Sequence, residues 1–337
     1  MSSHALDWRP GNALAAALGL TFVALGAQAA EKITYATDWK AQAEHGGFYQ
    51  AVATGLYAKY GLDVTIRPGG PGLDNQQLIA AGAVDFAMAG NNFFTLNLIR
   101  AGAKVRAVHA SFQKDPQILM THPRDDVNSL ADMLGKPIML ADSSVNTFWN
   151  WLRAKYGFQD SQIRKYTFNI APWLVDKNAI QQGYLSSEPY TAQKQGVAPE
   201  VYLLADYGYP GYAAMSMVPE SWITDKPDVV QAFVNATTEG WYSFLHGDPS
   251  PGIALIKKDN PEMSDDTIAY GIAKMKEFGI VDSGDAAKLG IGAMTDARWR
   301  EFTKLMVAQG VYDAGIDWQA SYTLRFINQG HGLDAKN

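Results

Sequence analysis

The sequence predicts an α/β protein of two lobes, each a mainly parallel sheet flanked by helices. Three observations carry this. Short apolar stretches alternate with segments of helical period. The alternation breaks once and restarts. Two Pro/Gly-bearing loops, 112–116 and 208–212, stand at the breaks. The 337 residues suffice for two ordinary cores, and 47% hydrophobic against 18% charged content is a globular balance.

Taken in order, residues 33–37 form the first strand. Phe48, Val52 and Leu56 recur at i, i+4 and i+8, one face of a helix, and Gly61 follows where a left-handed cap is wanted. Residues 62–67 alternate apolar and polar as a half-buried strand. Gly69-Gly70-Pro71-Gly72 turns the chain into a helix starting near Asp74. A third strand spans 84–88. Asn91 or Asn92 caps the helix that runs to Ala101, with Gly102 after it. Residues 105–110 are the fourth strand. After the first loop, 137–141 reads as a strand, Ser143 or Ser144 as an N-cap, and 145–156 as a helix ended by Gly157. Residues 166–170, 183–187 and 201–205 are further strands. From about Pro219 the chain is mostly helical: 227–245, 264–278, and a helix capped by Thr295 with Trp299, Phe302 and Met306 on one face. Pairing the two loops makes lobe one 30–115 with 213–337, and lobe two 116–212.

The first 29 residues read as a cleaved signal peptide. Arg9 precedes an apolar run over 13–27, and Ala27-Gln28-Ala29 offers small residues for cleavage. The run is shorter than the ~20 residues a membrane span needs. The expected location is therefore the periplasm. The absence of cysteine excludes disulfides, thiolate metal sites and a lipid-modified cysteine anchor.

A net charge of -6 argues against general nucleic-acid binding, which favours a basic face. No H-E-x-x-H, G-x-S-x-G or G-x-x-x-x-G-K-[ST] pattern occurs. The reading therefore assigns no catalytic residue, no metal and no cofactor. What remains suits binding. In open α/β sheets ligands sit outside the carboxyl ends of strands, and there the chain carries Asp38-Trp39, Gly90-Asn91-Asn92, Asp142-Ser143-Ser144 and Ser187-Glu188-Pro189-Tyr190. The candidate ligand-binding residues are Asp38, Trp39, Asn91, Asn92, Ser143, Ser144, Glu188, Tyr190 and Tyr212, with Tyr207 and Tyr209 at the cleft rim. Rings that stack and carboxylates that accept from amino groups suit a flat, polar, cyclic molecule. Each has a plainer role: Trp39 as core, the asparagines and serines as helix caps. Trp149, Trp151 and Trp173 read as packing.

Asp38-Trp39, Gly47-Phe48-Tyr49, Gly55-Leu56-Tyr57, Gly61-Leu62-Asp63-Val64, Gly82-Ala83-Val84-Asp85-Phe86, Arg100-Ala101-Gly102, Leu134-Gly135-Lys136-Pro137 and Ser187-Glu188-Pro189 stand in sequence. In order and spacing they resemble the thiamine-pyrimidine-synthase-like substrate-binding proteins of ABC importers, a group similar to nitrate, taurine and alkanesulfonate binding proteins. The resemblance covers nearly the whole mature chain. It implies the type II periplasmic binding protein fold, a ligand held between closing lobes, permease subunits as partners, and action as a monomer. The implied ligand is a thiamine pyrimidine precursor or similar nitrogen heterocycle, with riboflavin, sulfonates or nitrate as alternatives. Lys40 and Lys114 keep an anion in play. The family also includes a pyridoxal-phosphate-dependent pyrimidine synthase. Its lysine and histidine fall around residues 89–93, where this chain has neither. A sensor-partner protein that presents its closed form to a membrane receptor is a third reading.

Overall fold

The computed structural model describes residues 29–336 together with 1, 2 and 4. The expected signal segment lies for the most part outside them. Strands β1 (Glu31–Ala36), β2 (Leu62–Arg67), β3 (Phe86–Asn91) and β4 (Val105–Phe112) build one sheet. The second sheet holds β5 (Gln117–Thr121), β6 (Ile138–Leu140), β7 (Ile163–Lys165), β8 (Ile180–Tyr184) and β9 (Glu200–Leu203). The chain then returns as β10 (Ala213–Pro219), which inserts into the first sheet. The strand orders are β2-β1-β3-β10-β4 and β7-β6-β8-β5-β9.

Each sheet is mainly parallel with a single reversed strand. β10 runs antiparallel to β3 and β4, pairing Ala213 with both Asn91 and Phe112. β5 runs antiparallel to β8 and β9. In both sheets the strand entered directly after a crossing is the reversed one. The chain crosses between the sheets twice, from Phe112 to Gln117 and from Leu203 to Ala213.

Several predicted elements fall where the periodicity put them. The strand Leu62–Arg67 matches, and its buried positions alternate at first. Asp74 and Ser264 cap their helices through side-chain oxygens. Thr295 caps Asp296–Ala308, which buries Trp299, Phe302 and Met306. The helix expected through Leu56 is broken: Gly46–Ala53 ends before Gly55, which adopts φ 72°, and Leu56–Lys59 follows. The third strand lies two residues later than expected, so Asn91 both ends β3 and caps Asn92–Arg100 by accepting from the Phe93 amide.

Further expectations are corrected. The strand expected over 183–187 is β8, which ends at Tyr184. Residues 166–170 are not a strand. β7 ends at Lys165, where its pairing with β6 runs out, and Phe168 stands at φ 60°, which no strand accommodates. Neither Ser143 nor Ser144 is an N-cap. The short helix Asp142–Val145 begins after Ala141, without a side-chain cap. The helix expected over 145–156 is interrupted at Asn146 and Thr147, and a separate helix, Phe148–Tyr156, follows.

The core of the first lobe forms where helices Gly46–Ala53 and Pro227–His246 cross. A Cβ on Gly47 would meet the Trp241 ring at 2.2 Å, and one on Gly240 would meet the Gly47 carbonyl at 2.2 Å. The two glycines thus admit the close approach that seats Trp241 against Phe48 and Phe112. Trp149, Trp151 and Trp173 are fully buried, as the packing reading expects. Among the described residues no helix is long and apolar enough to cross a membrane.

Candidate functional site

The carboxyl ends of β1, β3, β7 and β8 bring their loops to one junction between the sheets, where acidic and aromatic side chains meet. Asp38 follows β1. One carboxylate oxygen lies 3.2 Å from His45 Nε2. Because the carboxylate only accepts, Nε2 carries the hydrogen. His45 is buried and fixes the Asp38 orientation, leaving Asp38 29% exposed. The other carboxylate oxygen faces Gly90, where a Cβ would approach it to 3.3 Å.

Trp39 is half-buried and packs on Phe168 of the other lobe, with ring centroids 4.5 Å apart. Phe168 packs in turn on Tyr166 at 5.2 Å, and Tyr166 donates its hydroxyl to Glu188 at 3.2 Å. Two rings therefore connect Trp39 to Glu188. Phe168 is 43% exposed and holds a left-handed backbone. A bulky residue in that region is strained, and such strain gathers at ligand clamps.

Glu188 is held from its own lobe. It accepts from the Tyr184 amide at 2.7 Å and from the Ser187 hydroxyl at 2.5 Å. Glu44, buried at the end of the first lobe's entry loop, accepts from the Ser186 hydroxyl across the junction. Burial pushes the Glu44 carboxyl upward, while the Ser186 hydrogen bond opposes the rise. Asp115, in the first crossing, is raised from 3.8 to about 7 by burial; its bonds to Gln117 and Asn91 oppose this, and Asp38 adds to it. The Tyr184 phenol is raised by burial, and the charges of Asp115, Asp38 and Glu44 raise it further.

The predicted residues divide. Asp38, Trp39, Asn91 and Glu188 belong to this cluster, and Asn92 adjoins it through the second crossing. Tyr190 packs on Tyr270 across the junction at 4.9 Å, farther along the same seam. Ser143 is exposed, and no described contact joins it or Ser144 to the cluster. Tyr212 is fully committed to the crossing. Its amide donates to Asn92 at 2.6 Å, its hydroxyl donates to Asp285 at 2.8 Å and accepts from the Thr295 amide. Glu44, His45, Asp115, Phe168 and Tyr184 were not among the predicted residues. Glu44 and His45 lie beside Gly46-Gly47, and Asp115 lies inside the loop already read as a crossing, so a signal existed for these.

The neighbouring cations are engaged elsewhere. Lys40 pairs with Glu262 at 2.9 Å and Lys114 with Asp206 at 3.1 Å. Arg298 donates to the carbonyls of Gln113, Pro210 and Gly211. Acidic and aromatic side chains thus meet at this junction, while the cations beside it are paired elsewhere.

A family model described as "NMT1/THI5 like" matches residues 42–250. A riboflavin-binding protein of Chloroflexus aurantiacus is 24% identical over 89% of this chain and 87% of its own length. A formylaminopyrimidine-binding protein of Halalkalibacterium halodurans is 24% identical over 70% of this chain and 72% of its own. Among solved structures, the periplasmic aliphatic sulphonate binding protein of Escherichia coli superimposes with a TM-score of 0.66 at 13% identity, covering 86% of this chain and 91% of that one. The fold also carries catalysis. The desulfurization enzyme DSZB matches at TM-score 0.57 and 12% identity, over 91% of this chain and 100% of its own.

Proposed function

The chain belongs to the NMT1/THI5 like family, and from that premise we propose that it is the exported substrate-binding component of an ABC-type importer. Its ligand is a flat nitrogen heterocycle that donates hydrogens, of the formylaminopyrimidine or riboflavin kind that its relatives are named for. Lobe one is 30–115 with 213–337 and lobe two 116–212. Ligand bridging the two shifts the population toward the closed form through its greater affinity for that form.

One observation carries the ligand class. Asp38, Glu44, Asp115 and Glu188 gather at the junction, while Lys40, Lys114 and Arg298 are each bound to other partners. A sulfonate or nitrate site calls for charge-assisted donors facing the anion, and the cations beside this junction are paired elsewhere. The fold likeness to a sulphonate binder thus extends to architecture and not to ligand. A binding role rather than catalysis is supported by the relatives' names and by the sequence at residues 89–93.

Thermal shift and calorimetry on the mature protein test this. A formylaminopyrimidine or riboflavin raises the melting temperature, by about 2.7 kcal/mol of added stability at a hundredfold excess over Kd. A rise with taurine or nitrate and none with either heterocycle overturns the ligand class. Two-lobe closure is tested by a ligand-dependent fall in radius of gyration.

A further inference from the structure

We propose that the lobes turn on two single-residue pivots, Asp115 in the first crossing and Tyr209 in the second, and that residues 210–212 travel with lobe one. This rests on the two-lobe closure proposed above, and it moves the second boundary between the lobes from 212 to 209.

The bonds on either side of each residue locate the pivots. In the first crossing, Gln113 and Lys114 are tied to lobe one. Both amides donate to the Ile280 carbonyl, at 2.7 and 3.2 Å, and the Gln113 side chain donates to the Ala293 carbonyl at 2.9 Å. Pro116 is tied to lobe two, its carbonyl accepting from the Leu185 amide at 2.9 Å. Asp115 stands between them, and among the described residues its own amide and carbonyl make no hydrogen bond. In the second crossing, the Tyr209 amide donates back to the Leu204 carbonyl at 3.1 Å, and the Tyr207 carbonyl accepts from Lys155, both within lobe two. From the next residue every partner belongs to lobe one. The Pro210 and Gly211 carbonyls each accept from Arg298 at 3.0 Å, and the Tyr212 amide donates to Asn92 at 2.6 Å. The change of allegiance therefore falls on one residue in each crossing.

Both pivots precede a proline, Pro116 and Pro210. A proline has no N–H and a fixed φ, so no amide bond has to break there and the turning is left to the residue before it. Hinges are a few such residues that absorb the dihedral change while packed elements on both sides stay rigid. The pivot side chains also touch both lobes. Asp115 accepts from the Gln117 amide at 3.0 Å in lobe two and meets Asn91 Nδ2 at 3.5 Å in lobe one. The Tyr209 ring lies 5.3 Å from Trp151 in lobe two and 6.4 Å from Phe302 in lobe one. The Lys114–Asp206 pair, at 3.1 Å, bridges the pivots from outside, and an exposed pair of this kind is too weak to lock them.

The chain has no cysteine, so Val175→Cys in lobe two and Lys258→Cys in lobe one, both exposed, carry one spin label each. The distribution of label separations is recorded without ligand for this protein and for the same protein with Pro116→Ala, Pro210→Ala or Pro137→Ala. Alanine frees φ beside the pivot. The expected result is a wider distribution for Pro116→Ala and for Pro210→Ala, and an unchanged one for Pro137→Ala, which lies outside the crossings. Unchanged widths in both crossing variants, or equal widening by all three, overturns the pivots. A reading free of variants compares backbone angles in crystals of wild type grown with and without riboflavin. Changes centred on 115 and 209, with 210–212 fixed relative to lobe one, support the pivots, and changes centred on 111–113 or 210–213 overturn them. Riboflavin and a formylaminopyrimidine added to the labelled protein test the functional reading separately. No shift in mean separation with either overturns the proposed ligand, while the proline comparison, made without ligand, still decides the pivots.

Discussion

The Ser186 hydroxyl donates to the Glu44 carboxyl across the junction, joining residues 142 apart in sequence, one in the segment after β1 and the other in the turn after β8. Glu44 is 4% exposed and Ser186 3% exposed, so the bond is sheltered from water. Removing the hydroxyl leaves a buried carboxylate short of a donor, at a cost of about 1–3 kcal/mol. Ser186→Ala is expected to lower the melting temperature and raise the radius of gyration measured by X-ray scattering. Glu44→Gln keeps a hydrogen-bonding group and sheds the buried charge, so it should stay compact. A Ser186→Ala protein as compact and as stable as wild type would show that this bond does not hold the lobes together.

Asp115 sets a pH dependence. Its carboxyl is raised from 3.8 to about 7 by burial, with the Asp38 charge adding to the rise. Asn91, Gln117, Tyr184 and Tyr209 also face it, and Lys114 beside it is paired with Asp206. Because the folded value lies above the unfolded one, the folded state holds the proton more tightly. The resulting stability is fully present below about pH 4 and is lost as pH rises through about 7. At 1.36 kcal/mol per unit this contributes on the order of 2–4 kcal/mol. Asp115→Asn should flatten this part of the stability profile between pH 4 and 7. Urea melts of both proteins at stepped pH measure it, and parallel profiles would contradict the assignment.

Much of the fold was legible because it rests on local rules. Gly61, Gly102 and Gly157 end helices at positive φ, and Asp74, Ser264 and Thr295 cap through their own oxygens. β10 was not legible: Ala-Ala-Met-Ser-Met-Val is buried on both faces, so it lacks the alternation that marks a half-exposed strand. The strand-end rule pointed to Asp38, Trp39, Asn91 and Glu188, which the fold brings to the junction. It missed Phe168, because the false strand over 166–170 hid a loop whose shape comes from the tertiary contact with Trp39. It took Tyr212 for a ligand residue because chain position does not reveal that Asp285, 73 residues on, claims its hydroxyl.

Arg298 ties both crossings with one side chain. Its guanidinium donates to Gln113 in the first crossing and to Pro210 and Gly211 in the second, and lies 4.0 Å over the Tyr212 ring. Hydrogen bonds from a charged donor are worth about 1.5–3 kcal/mol each and do not add fully. Arg298→Met is expected to destabilise by roughly 3 kcal/mol and to broaden the distribution of lobe separations. Arg298→Lys restores charge without the planar fork and should recover less than half. Chemical denaturation gives the first number, and distances between spin labels on the two lobes give the second. Full recovery by lysine would mean that charge alone, not the forked geometry, matters here.

Phe168 separates stability from binding. Its φ of 60° is unfavourable for a side chain with a Cβ, yet its ring covers Trp39 and leans on Tyr166. Phe168→Gly relieves the backbone and deletes the ring. Strain relief of about 1–3 kcal/mol opposes the loss of a partly exposed aromatic contact and the added freedom of a glycine in the unfolded chain. The ligand-free protein should therefore melt near the wild-type temperature. Phe168→Ala keeps the strain and loses the ring, and should melt lower than the glycine variant. Heterocycle affinity should fall by a similar factor in both, since the ring is absent from both. Melting curves order the backbone effect and calorimetry reads the ring effect. Equal melting of glycine and alanine variants would remove the strain argument, and undiminished affinity in both would remove the ring from the site.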